Sequence, residues 1–207
     1  MKSKKILLTI IIFSTFILFA CKTIPSTKTE SPKEAPVVLS RKLLGQGILT
    51  PAQLTRFFMT QKPESDVLEI LDFAYDYCKE ASAENINSDV AFAQMCLETG
   101  YLTFGNLVTK EMHNYCGLGA MNAENPGCVF ATRTLGIRAH IQHLQAYATT
   151  EDVKLNQELV DPRYSWVHKT KYVQDITGLS GTWATDPAYA QKIENILCKM
   201  ESVNSSQ

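Results

Sequence analysis

One carboxylate stands out by its surroundings. Val90, Ala91, Phe92, Ala93, Met95, Cys96 and Leu97 leave scarcely any polar face ahead of Glu98, Thr99 and Gly100, and a helix that is apolar all round belongs inside a domain. Glu98 therefore falls in the last turn of a buried helix. Desolvation and the negative end of the helix dipole both penalise its ionised form there, so its pKa is expected above the ordinary glutamate range. A carboxyl that keeps its proton near neutral pH suits general acid catalysis. The competing reading is a side chain that points into solvent past the helix end.

The thiols and imidazoles offer less. Cys96 lies within the apolar stretch and reads as a small buried hydrophobe. Cys116 and Cys128 flank a polar loop containing Asn122, Asn125, Pro126 and Gly127. They form a candidate disulfide, whose short ring would contribute about 3 kcal/mol. Cysteines without close pairing, and His140 and His143 without a partner set, make no metal site, and no cofactor is expected.

These groups must be positioned by helices. Thr50-Pro51-Ala52-Gln53 places a capping hydroxyl, a first-turn proline and a capping-box glutamine in order, predicting a short helix to about Met59. After Asp66, Val67, Ile70, Leu71, Ala74, Tyr77, Cys78 and Ala81 recur at three and four residues and predict a long amphipathic helix. Ser88 is the expected cap of the helix that ends at Glu98. Residues 102–130 break into Gly, Asn and short mixed runs that predict loops and a small hairpin. Helical spacing returns at 135–148, and Asp186-Pro187 should cap a last helix burying Tyr189, Ile193, Ile196, Leu197 and Met200. The sum is a mainly α domain over residues 46–203, with an irregular lobe that makes a cleft against the long helices, followed by a tail at 204–207.

The N-terminus reads differently. Lys2, Lys4 and Lys5 precede an apolar run from Ile6 to Phe19. As a helix it would rise only about 21 Å, too short to span a bilayer core of roughly 30 Å, so residues 1–20 are expected to be a cleaved export signal. Leu18-Phe19-Ala20-Cys21 resembles the lipobox of bacterial lipoproteins, which implies lipidation of Cys21 with acyl chains such as palmitate. An ordinary secretory signal is the alternative. Residues 21–45, with the stretch KTIPSTKTESPKEAP, carry few large apolar groups and predict a flexible tether. The expected location is the cell envelope, anchored by lipid to the outer membrane facing the periplasm or to the exterior of the cell membrane.

Charge excludes one class of partner. The 207 residues carry a formal net charge of -1, and losing residues 1–20 removes three lysines and no acid, making the chain more negative still. Nucleic-acid binding needs clustered cations, so no such partner is expected.

Five segments in order carry a resemblance: SDVAFAQMCLETGYLTFGN at 88–106, NYCGLGA at 114–120, LGIRAHIQHLQAYAT at 135–149, VDPRY at 160–164 and LSGTWATDPAYAQKIENIL at 179–197. Together they resemble the bacterial N-acetylglucosaminidase (autolysin-type) domains of glycoside hydrolase family 73. The resemblance implies a lysozyme-like helical fold with a small β lobe, and cleavage of the β-1,4 bond after N-acetylglucosamine in peptidoglycan glycan strands. It places Glu98 on the family's catalytic acid, and Asn114, Gly117 and Gly119 on the loop whose backbone approaches the glycan, although turn geometry alone also accounts for the glycines. Tyr115, Tyr164, Trp166, Trp183 and Tyr189 become candidates for stacking on sugar faces, core packing being the alternative for each.

The chain departs from the family at two places. Phe130-Ala131-Thr132 stands where many relatives carry an acid, and Trp183 where many have tyrosine. Glycosidases commonly use a second carboxylate. Glu124 is the substitute candidate, though it also reads as a solvated loop acid, and Asp161 likewise reads as a turn residue before Pro162. Without such an acid, the substrate's own 2-acetamido group would attack the anomeric carbon while Glu98 protonates the leaving oxygen. A lytic transglycosylase using the same Glu98, and a non-catalytic wall-binding lipoprotein, are the alternatives.

Overall fold

The computed structural model describes residues 36–205. The export signal, the lipidation site at Cys21 and most of the tether lie outside the described residues. Six α-helices make up the described chain: α1 (Pro51–Gln61), α2 (Val67–Ala83), α3 (Ser88–Thr99), α4 (Arg133–Ala148), α5 (Tyr164–Thr170) and α6 (Tyr189–Asn204). Short 3₁₀ turns stand at Lys110–Met112 and Ile176–Leu179. The fold is mainly α, as the sequence predicts, and fits a lysozyme-like helical domain.

Local chemistry sets the boundaries. Thr50 and Gln53 form the expected reciprocal capping box at α1, and Asp66 accepts from the backbone N–H groups of Leu68 and Glu69 at the start of α2. The cap of α3 is Asn87, one residue before the predicted Ser88. Asn87 serves two purposes: its Oδ1 accepts from Asp89 N at 3.0 Å, and its Nδ2 donates to the carbonyls of Ser40 and Lys42. Gly100, with φ of 57°, closes the helix in a left-handed conformation that costs glycine little.

Helix α3 is the central rod. From Ser88 to Cys96 every residue is buried, and it packs against α2, α4 and α6. Two ion pairs, Arg133 to Asp76 and Arg138 to Glu80, each 2.8 Å, tie α4 to α2.

The domain begins earlier than its composition suggests. Leu39 and Leu43 are buried in the core, and Leu43 exchanges backbone hydrogen bonds with Gln174 and Asn87. Residues 36–45 are therefore packed structure rather than tether. Arg41 reinforces this, its guanidinium meeting Glu194 at 2.6 Å and Glu201 at 2.5 Å on α6. At the other end Asn204, expected in the tail, is the buried last residue of α6.

The lobe between α3 and α4 also differs from expectation. Among the described residues it contains no strand, only an isolated bridge between Asn122 and Asn125. Left-handed glycines at 117, 119 and 127 interrupt any ladder. A single buried amide replaces it: Asn114 donates to the carbonyls of Leu118 and Cys128 and accepts from Leu118 N. Cys116 and Cys128 are free thiols, so the candidate disulfide is not formed.

Candidate active site

Glu98 ends α3 half-buried, at the wall of a cavity of about 290 Å³ whose lining includes Asn106, Asn114, Gly117 and Ala120. Gly117 and Ala120 also line a second cavity of about 230 Å³, so the two spaces meet along the 117–120 loop. Trp183, His143, Arg163 and Trp166 line the second space. Oε2 of Glu98 lies 3.9 Å from where a Cβ on Gly117 would sit. At φ of 65°, the turn favours glycine there, while the distance to the carboxyl is an ordinary contact.

Two donors fix the carboxyl from behind. The Trp183 indole Nε1 donates to Oε1 at 3.1 Å, and the Tyr189 hydroxyl donates to the same oxygen. Because Oε1 already accepts twice, a proton on this group resides on Oε2, the oxygen turned toward the loop. Burial raises the Glu98 pKa, and the bonds from Tyr189 and Trp183 oppose that rise in part. The expected direction holds, with desolvation as its main cause.

Behind Tyr189 runs a buried chain of hydrogen bonds. Gln94 Nε2 donates to the Tyr189 hydroxyl at 2.8 Å, His140 Nε2 meets Gln94 Oε1 at 3.0 Å, and the Tyr77 hydroxyl meets His140 Nδ1 at 2.9 Å. Since the Gln94 oxygen can only accept, His140 carries its proton on Nε2, and Tyr77 donates to Nδ1. Every donor in the series points toward Glu98. Burial pushes the His140 pKa down to about 3, so the imidazole is neutral and the series keeps one polarity. Sequence reasoning passed over Gln94 and weighed His140 only as a metal ligand. The available signal was Gln94 itself, an amide one turn before Glu98 and on the same face of an apolar helix.

The predicted site residues divide. Glu98, Gly117, Trp183 and Tyr189 come together. Tyr189, however, is buried, with its hydroxyl committed to Glu98 and Gln94, so it holds the carboxyl rather than presenting a stacking face. Asn114 lines the Glu98 cavity but spends its amide on the loop backbone. Gly119, at φ of 74°, sits in a tight turn where a Cβ would fall 3.1 Å from Cys128 Sγ. Trp166 and Trp183 border open space. Trp166 is 54% exposed, with the Arg163 guanidinium 5.4 Å from its ring centroid. Tyr115 is buried against Phe73 and Phe104. Tyr164 is buried and donates to Gln145, and it lines neither cavity.

Neither candidate second acid reaches the site. Glu124 is exposed at the loop tip and lines neither cavity. The Asp161 side chain is fully buried, receiving His143 at 2.7 Å and the backbone N–H of Arg163 at 2.8 Å. Among the described residues, Glu98 is the one carboxylate lining these two cavities.

Comparison with known proteins gives a concordant picture. The sequence profile of the Glucosaminidase family, described as mannosyl-glycoprotein endo-beta-N-acetylglucosaminidase, matches residues 74–202, a span from α2 to α6 that contains Glu98 and every group bonded to it. An uncharacterized protein of Borreliella burgdorferi is 38% identical over 181 residues, which cover 87% of this chain and 85% of that relative. No solved structure matches the chain.

Proposed function

The chain belongs to the Glucosaminidase family of glycoside hydrolases, and from that premise we propose that it cleaves the β-1,4 bond after N-acetylglucosamine in peptidoglycan, with Glu98 as general acid. The observation that carries the reading is the carboxyl itself: desolvated, held through Oε1 by Tyr189 and Trp183, and free to present a proton from Oε2 to the space beside Gly117.

Substrate assistance fits the single carboxylate. The acetamido oxygen of the sugar attacks the anomeric carbon, the glycosidic bond breaks, and Glu98 gives its proton to the departing oxygen. The resulting carboxylate then takes a proton from water as that water attacks the same carbon and restores the acetamide. That Glu98 is the one carboxylate among the described residues lining the cavities equally suits the transglycosylase reading, in which a substrate hydroxyl replaces water. The proposal includes lipidation at Cys21, with residues 22–35 as the tether to a membrane of the cell envelope. Loss of palmitate labelling in Cys21→Ala would support that anchor, and unchanged labelling would refute it.

Products decide between the chemistries. Purified sacculi should yield new reducing N-acetylglucosamine ends, and Glu98→Gln should lower the rate by about 10³-fold without changing the thermal unfolding profile. Anhydromuramic ends would establish the transglycosylase, and no products at all would leave a wall-binding protein.

A further inference from the structure

A third cavity, of about 370 Å³, adjoins the one that holds Glu98, and Phe104 lines both. The two spaces differ in kind. Among the described residues Glu98 is the one acid or base lining its own cavity, whereas Lys62, Lys110 and Arg133 share the neighbouring one with Glu64, Asp66 and Glu69, over apolar surface from Phe73 and Phe104. A neutral sugar chain can hydrogen-bond to such groups through its hydroxyls but brings no charge of its own to pair with them.

The wall between the two spaces is preset. Tyr101, Leu102 and Phe104 have φ of 56°, 58° and 56°, a left-handed conformation that costs a residue with a side chain roughly 1 kcal/mol or more. Three bonds back to the end of α3 hold it: Tyr101 N to Cys96 O, Leu102 N to Thr99 Oγ1, and Phe104 N to Thr99 O. Strain maintained this close to Glu98 fixes where Phe104 stands between the two cavities.

The charges at the mouth are exchangeable. Lys110 meets Glu69 at 3.1 Å, but the two side chains are 68% and 51% exposed, so that pair contributes little to the fold and can be traded for ionic contacts with a ligand. Lys62 and Glu64 stand 3.9 Å apart. Arg133 is more firmly held, by Asp76 at 2.8 Å and with its guanidinium 6.0 Å from the Phe73 ring centroid.

We propose that this cavity receives the peptide substituent of the wall glycan, a short chain bearing carboxylates and an ammonium group, while the sugars lie in the cavities beside Glu98. The inference rests on the glycan-cleaving reading above and adds a determinant of which strands are cut.

Binding and cleavage test it separately. Full-length Glu98→Gln protein is titrated by NMR with the tetrapeptide L-Ala-γ-D-Glu-L-Lys-D-Ala and, in parallel, with chitotetraose. The peptide should move the amides of Leu102, Phe104, Lys110 and His113, and adding Lys110→Gln and Glu69→Gln should weaken it by about fivefold. Chitotetraose should instead move Gly117 and Ala120. A peptide that leaves the first set unmoved, or binds equally well after both substitutions, overturns the proposal whether or not the protein cuts glycan. In the cleavage arm, protein with Glu98 intact should prefer strands bearing peptide stems over the same strands stripped by an amidase. Lys110→Gln with Glu69→Gln should bring that ratio toward one. Equal cleavage of the two substrates by unsubstituted protein would refute the peptide site and leave the glycosidase intact.

Discussion

His140 Nε2 lies 3.0 Å from Gln94 Oε1 in a fully buried setting, and that single bond orients everything between it and Glu98. It fixes the Gln94 amide so that its nitrogen faces Tyr189. The Tyr189 proton is then left for the carboxylate. A helix that would otherwise contribute only apolar surface thus carries a polar thread from Tyr77 to the proposed acid.

Tyr189→Phe should move the pH dependence of cleavage. The lost hydroxyl stabilises the ionised carboxylate, so its removal raises the Glu98 pKa beyond the elevation that burial already produces. In the proposed mechanism cleavage requires protonated Glu98 and falls as pH rises through that pKa. The descending limb of kcat/KM against pH should therefore shift to higher pH in the variant, with kcat lowered about tenfold. A tyrosine that merely filled the core would leave the limb in place.

His140→Leu should destabilise the protein by about 3 kcal/mol at neutral pH, because the Gln94 oxygen and the Tyr77 hydroxyl lose their partner in a dry site. The unsubstituted protein has an acid liability of its own. With the folded pKa near 3 against an ordinary 6.5, the unfolded chain binds the proton first as pH falls below 6.5. Stability contributed by neutral His140 is thus lost from there down toward pH 3, by about 2 kcal/mol between pH 7 and pH 5. Urea melts at the two pH values should show that loss, and a smaller one in His140→Leu.

Gly136→Ala should disturb the lobe rather than α4 alone. A Cβ there would fall 1.7 Å from the carbonyl oxygen of His113, so the loop leading to Asn114 and Gly117 must shift. Destabilisation of about 3 kcal/mol, with cleavage reduced even below the melting transition, is the expected outcome. Thermal unfolding and residual rate at low temperature measure the two parts. A variant with unchanged melting would show that the loop does not bear on the helix.

Arg41→Ala should release the N-terminal segment. Glu194 and Glu201 are held below the ordinary glutamate range by this guanidinium, so the stability it confers is present above that range and disappears as pH falls through the lowered values. The groups are partly exposed, which limits the loss to about 1 kcal/mol. Limited proteolysis should nonetheless cut residues 36–45 faster in the variant at pH 7, and the difference should vanish in acid.

The amino-acid order alone determined five of the six helices and the buried setting of Glu98, whereas α5 (Tyr164–Thr170), short and without a side-chain cap, left no such pattern. A capping box at Thr50 and Gln53, periodic apolar residues along α2, and an apolar run ending in Glu98 are local patterns, and local patterns are readable because a helix satisfies its own backbone within each segment. The elevated proton affinity of Glu98 also followed, since its burial is implied by the helix that carries it. Contacts between distant segments were not readable. Leu39 and Leu43 look too few to order a polar stretch until Asn87 and Gln174 supply backbone partners. Cys116 and Cys128 invite a bridge until Asn114 is seen to tie their loop, and Tyr189 resembles core packing until its hydroxyl meets Glu98. Gln94 and His140 lie 46 positions apart on two helices, and neither has a meaning until α3 and α4 pack. Only tertiary structure brings such groups together, because a buried hydrogen bond depends on the position of both partners and the sequence records each of them singly.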